Sequence, residues 1–246
     1  MPASVTFAPD EGVLRLAHGT LSVLALLAAD PVDPRLHDHD VAPHVAALRR
    51  AGVLGRSGVH EAVRPLTDAI ATATATLALA IADRRRARRC SGWVGADLVV
   101  VAVPSGDDPR LFDLVADRPA ALPALVDDLV GLVPGAAAPA AARPLRVDPD
   151  GFEALLAAPA AAPEAVAAAL VAGDADARAA VAALAAGLTT RWALQVIPRG
   201  GGDARRVAVL DAGAAGLWRE DDRGDHLLLS PSDSVAVHAA VAATLG

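Results

Sequence analysis

Apolar positions recur at two spacings along this chain, and the switches between them divide it into blocks. Val5-Thr6-Phe7 opens a short strand. Asp10 or Thr20 caps the helix that follows, where Leu21, Leu24, Leu27 and Ala28 fall at helical spacing until Pro31 and Pro34 end it. A second helix spans Val41 to Arg50, with Val41, Val45 and Leu48 on one face. Gly52 to Gly58 is a turn. Val59 to Ile70 gives a third helix with Val63, Leu66 and Ile70 inward.

From Thr72 the period becomes two. Thr72, Thr74 and Thr76 lead into Leu77, Leu79 and Ile81, a strand with one Thr/Leu/Ile face. After the polar turn Asp83 to Arg89, strands follow at Cys90 to Val94, Leu98 to Val103 and Arg110 to Val115. Connections this short join antiparallel neighbours. Pro119 to Leu132 is a helix, and Pro134 to Pro149 reads as a linker or crossing segment. Three Ala-rich helices come next, at Phe152 to Ala158, Pro163 to Val171 and Asp174 to Leu188. Four strands then recur at Thr190 to Ile197, Arg205 to Leu210, Gly216 to Glu220 and His226 to Leu229. Ser230 to Asp233 caps a final helix, Val235 to Leu245.

The two stretches share one plan: helices, four closely spaced strands, then a helix. We therefore expect an α+β fold of two pseudo-two-fold related halves, approximately 35–133 and 150–246. Each half is a four-stranded antiparallel sheet with flanking helices, and residues 1–246 form a single domain.

Composition changes this picture in few places. The chain has no Lys, Asn or Tyr and one Gln, all 22 basic residues are Arg, and Ala makes up about a quarter of it. These are the marks of a GC-rich genome, so arginine runs and Ala-rich helices carry less chemical meaning than usual. At 54% hydrophobic and 21% charged the chain can bury a large core. A net charge of −7 argues against nucleic acid as a partner. With Cys90 alone there is no internal disulfide, which fits a cytoplasmic protein. Met1 to Glu11 lacks a signal-peptide pattern, and Leu21 to Ala29 is too short for membrane insertion.

Candidate chemistry is sparse. His37-Asp38-His39-Asp40 resembles a metal clip, but without a spaced third ligand it reads as a solvated loop, so no metal is expected. Gly200-Gly201-Gly202 lies between two strands, not before a helix, and reads as a hairpin turn. Cys90 reads as a small buried hydrophobe, although the arginines before it would favour a thiolate. The acidic pairs Asp107-Asp108, Asp127-Asp128 and Asp221-Asp222 fall on turns or exposed positions. No catalytic residue and no cofactor is expected. An enzyme using Cys90 or His37 and His39 ranks last. The strongest charge feature is Arg84, Arg85, Arg86, Arg88 and Arg89. With no aromatic residue interleaved to stack bases, an acidic protein surface suits it better than nucleic acid. Together with Trp93 these arginines form the candidate partner-binding site, where an exposed apolar patch is expected. The alternative is a DNA-associated regulator, with the helices from Val41 to Ile70 as a winged-helix core and Arg84 to Arg89 as the wing.

Two stretches carry a family resemblance. One is Leu48-Arg49-Arg50-Ala51-Gly52-Val53-Leu54-Gly55 with the helix to Ile70, the Leu77 to Ile81 strand and Gly92-Trp93. The other runs from Arg206 through Val209-Leu210-Asp211-Ala212-Gly213 to Trp218, then Leu227 to Pro231 and the terminal helix. In order and texture the chain resembles the EspG family, cytoplasmic chaperones of type VII (ESX) secretion in actinobacteria. The resemblance implies a mixed fold of quasi-two-fold halves that binds, without catalysis or cofactor, a secreted helical protein. That client would be PE–PPE-like or WXG100-like, kept soluble for export. The oligomeric state is not implied.

Overall fold

The computed structural model describes residues 4–30, 33–83, 86–106, 108–133, 135–139, 143–148, 150, 152, 156, 163–164, 167 and 175–246. The strands of one large sheet follow the order β1-β2-β8-β7-β6-β5-β10-β11-β12-β13-β9, and six α-helices are described. Every pairing in it whose register is described is antiparallel. The fold is therefore α+β, but it holds one sheet of 11 strands where two sheets of four were expected. The chain divides into two compact units, residues 1–79, 88–122 and 196–204, and residues 80–87, 123–195 and 205–246.

In the first unit, β1 (Val5–Ala8) and β2 (Val13–Ala17) form a hairpin, and β2 pairs with β8 (Asp108–Asp117). Sequence reading placed a helix cap at Asp10, and the structure places a strand after it. The burial pattern of Val13–Ala17 alternates, with Leu14 and Leu16 buried, but five residues give too short a signal to find unaided. Helix α1 (His18–Ala29) then buries Leu21, Val23, Leu24 and Leu27. Thr20, offered as a cap, is fully buried and bonds through its hydroxyl to His44 Nδ1 at 2.9 Å. Helices α2 (Ala42–Arg50) and α3 (Arg64–Ala71) each carry Pro in the first turn, where its missing N–H costs nothing. The expected turn between them contains a two-strand ribbon, β3 (Leu54–Gly55) and β4 (Gly58–Val59).

β5 (Ala75–Asp83) buries Ala75, Leu77, Leu79 and Ile81. Thr72, Thr74 and Thr76 have the opposite parity, so the expected shared Thr/Leu/Ile face does not exist. β6 (Ala87–Val94) pairs with β7 (Val99–Ser105), Gly92 opposite Val101. A side chain at Gly92 would collide with the carbonyl oxygen of Val100 and press on Leu77, so the strand has room only for glycine there. One side of this part of the sheet presents Leu14, Leu16, Phe112, Leu114 and Ala102 to α1, α2 and Val63, forming one core cluster. On the other parity, Arg15 clasps Asp113 with two hydrogen bonds, 2.7 and 3.2 Å. Partial burial opposes the Asp113 carboxylate, but bonding to Arg15 and Ser105 outweighs it and lowers the Asp113 pKa.

Helix α4 (Leu122–Val130) leads into the second unit. Its strands are β9 (Leu145–Val147), β10 (Thr190–Pro198) as far as Gln195, β11 (Arg205–Asp211), β12 (Leu217–Asp222) and β13 (Leu227–Ser232). β9 lies inside the segment read as a linker. Three residues carry no periodicity of their own, and their pairing with Leu227–Leu229 makes them a strand. Helix α5 (Ala175–Gly187) packs Val181, Leu184 and Ala185 onto Leu210, Trp218 and Leu229, with Phe152 in the same cluster. Gly216 has φ +83°, and a Cβ there would sit 2.8 Å from Pro139, so both backbone and space demand glycine. Helix α6 (Ser234–Ala243) is capped by Asp233, which accepts from the Ala236 amide at 2.7 Å.

Candidate functional site

The Arg84–Arg89 run sits where β5 turns into β6. Arg84 and Arg85 lie outside the described residues. The turn is closed by the Asp83 amide donating to the Arg86 carbonyl at 3.0 Å and the Arg86 amide donating to Asp83 Oδ1 at 2.9 Å. Arg86 and Arg89 are exposed, and Arg88 is half-buried. Alternation along β6 puts Arg89 and Trp93 on one side of the strand and Arg88, Cys90 and Gly92 on the other. Trp93 is half-buried and packs against the cluster of Ala69, Ile70 and Val100. The indole therefore helps hold helix α3 on the sheet. A wing would be a free hairpin, whereas β6 is paired with β7 from Ser91 to Val94.

Cys90 is fully buried. Burial pushes its thiol up from 9.0 to about 11, and the opposing influence of Arg88 is the smaller one. The arginines that would favour a thiolate lose to desolvation. The native thiol should resist iodoacetamide at pH 7.5 and react once the chain is unfolded in urea; fast labelling of the native protein would contradict this. Stability has a matching pH dependence. The thiol in the unfolded chain ionises near pH 9.0 while the folded one stays protonated to about 11. Its contribution is whole below pH 9.0 and falls above it, by up to about 1.4 kcal/mol per pH unit. Cys90→Ala should remove that alkaline decline in urea titrations.

The histidines singled out in the sequence do not converge on one point. His37 ends a 3-10 turn, Pro34–His37, and His39 is exposed beside Asp40 at 3.5 Å. His44 meets Thr20, while the His60 ring packs edge-on to Phe7 and its Nδ1 accepts from the Ala62 amide. Among the described residues no group of three potential metal ligands converges. Gly201 and Gly202 have positive φ in the turn between β10 and β11, as a hairpin requires.

Two arrangements were not visible from the sequence. The first is a charged cluster in the second unit. Glu220, with 2% of its side chain exposed, accepts from Arg191 at 3.1 Å and from Arg206 at 2.6 Å. Arg191 also lies over the Phe152 ring, 4.8 Å from its centroid. The second is a cleft of about 460 Å³ in the first unit, between α1, α2 and the β3–β4 ribbon. Leu27, Leu36, Val45 and Leu54 wall it, and Arg49, Arg56 and His37 lie at its exposed margin. Val45 belongs to the helix face read from the sequence with Val41 and Leu48, but nothing local told that the ribbon would close the second wall.

The architecture is shared with a secretion chaperone of known structure. That protein is the Mycobacterium tuberculosis type VII secretion system chaperone EspG5, solved in complex with a PE25–PPE41 dimer. The two chains are 16% identical and superpose with a TM-score of 0.60 over 95% of each. At that identity the likeness is one of fold. No family model and no curated protein matches the sequence. None of the described helices is long and apolar enough to cross a membrane.

Proposed function

We propose that this chain is a non-catalytic cytoplasmic chaperone that binds a helical type VII secretion substrate, PE–PPE-like or WXG100-like, and keeps it soluble for export. The observation that carries the reading is the fold shared over 95% of both chains with a chaperone captured on a PE–PPE dimer. Fold alone does not transmit function. We take residues 1–246 as one EspG-like domain of two related halves, and the Arg84–Arg89 hairpin with its Trp93 strand as part of the client surface.

The test is co-expression with small helical secretion proteins encoded beside its gene, followed by size exclusion with light scattering. The expected result is a client soluble only in the chaperone's presence, eluting at 24.8 kDa plus its own mass or a simple multiple. Clients that stay soluble alone and never co-elute would overturn the reading. Reversing charge at Arg86 and Arg89 in the same assay tests the placement of the surface.

A further inference from the structure

We infer that the cleft between α1, α2 and the β3–β4 ribbon is a binding site for a single-chain aliphatic molecule with an anionic head, of the fatty-carboxylate class. Its volume of about 460 Å³ is in the range of small-molecule sites, roughly 300–1,000 Å³. Leu27, Leu36, Val45 and Leu54 provide aliphatic walls, and Ala42 and Ala46 leave space between them. No acidic residue lines it.

The charge at the margin gives the head group. Arg15, Arg191, Arg206 and Arg219 each pair with a carboxylate, whereas the guanidinium groups of Arg49 and Arg56, like those of Arg50 and Arg64, have no hydrogen-bond or ion-pair partner among the described residues. From Val41 to Leu66 four arginines meet one acid, Glu61, in a chain of net charge −7. Arg49 lies in the last turn of α2, where the helix dipole accounts for it. Arg56, between the two strands of the ribbon, has no such explanation. Two guanidinium groups beside an apolar cleft suit a carboxylate, which each can bind through paired N–H donors.

The distribution of apolar surface favours a small ligand over a protein. Among the described residues the exposed large hydrophobics are Val115, Val133, Ile197 and Val235, none of them in this region. A protein interface would carry its apolar core onto the surrounding surface. Here the apolar surface is confined within the cleft. The proposal is independent of the client reading, and either can fail without the other.

Dodecanoate, kept below its micelle concentration, is titrated into the full chain by calorimetry, with dodecyltrimethylammonium and acetate as comparisons. Saturable binding of dodecanoate is expected, at least tenfold tighter than either comparison. Arg49→Glu with Arg56→Glu, both exposed positions, should weaken it about tenfold or more with an unchanged circular dichroism spectrum. Ala46→Leu, which adds bulk inside the cleft, should do the same through the chain rather than the head. Absence of binding overturns the proposal, as does equal affinity for the cationic amphiphile. So does binding that both variants retain, because the ligand then sits elsewhere.

Discussion

Replacing Glu220 by alanine is expected to lower folding stability by about 3–5 kcal/mol, the cost of breaking a buried ion cluster by removing one partner. Glu220 is the sole anion within reach of both Arg191 and Arg206, at 3.1 and 2.6 Å, among the described ion pairs. The two arginines are partly solvated, 29% and 38% exposed, which moves the expectation toward the lower figure. Their attachments still keep them near the vacancy: Arg191 by the Phe152 ring, Arg206 by its place on β11. Glu220→Gln should cost less than alanine, since it keeps one acceptor oxygen for one arginine, although its NH2 then faces the donors of the other. Urea unfolding of both variants decides it. A loss under 1 kcal/mol for alanine would mean that water replaces the carboxylate freely.

Trp218→Ala is expected to cost about 3–5 kcal/mol, the range for deleting a large core aromatic. The indole is 1% exposed and packs among Leu210, Leu229 and the buried face of α5. Its Nε1 also donates to the Ala215 carbonyl at 3.2 Å, so Trp218→Phe should lose about 1 kcal/mol for that bond beyond the change in volume. Trp192 is equally buried, but its Nε1 has no partner among the described residues. Trp192→Phe removes an unsatisfied donor and should cost less than Trp218→Phe by about 1 kcal/mol. Thermal unfolding of the two phenylalanine variants side by side tests this. The reverse order would refute it.

How much of this was legible in the sequence follows from the range of the interactions involved. Val45 and Leu48 mark the inner face of α2 at helical spacing, and Ala47 and Leu48 are buried there. The Asp233 cap was legible because a cap is made within three residues. β9 was not, because Leu145–Val147 becomes a strand only by pairing with residues about 80 positions away. The Glu220 cluster was hidden for the same reason. Arg191, Arg206 and Glu220 are spread over three strands, and the register that sets Ala208 opposite Glu220 brings Arg206 and Glu220 to one face. At Cys90 the sequence showed neighbouring arginines but not the burial that overrides them. The cleft needed a two-residue ribbon that carries no pattern at all.

By itself, then, the sequence determined the longer local periods: the helices α1, α2 and α6, the longer strands, and that two runs of four strands recur with short turns between them. Only the tertiary structure decided that these runs belong to one sheet of 11 strands, which residues of each strand face helices, and where charges meet. The division has a physical cause. Period, capping and turn chemistry act over a few residues, whereas strand pairing and burial depend on contacts between residues far apart in the chain.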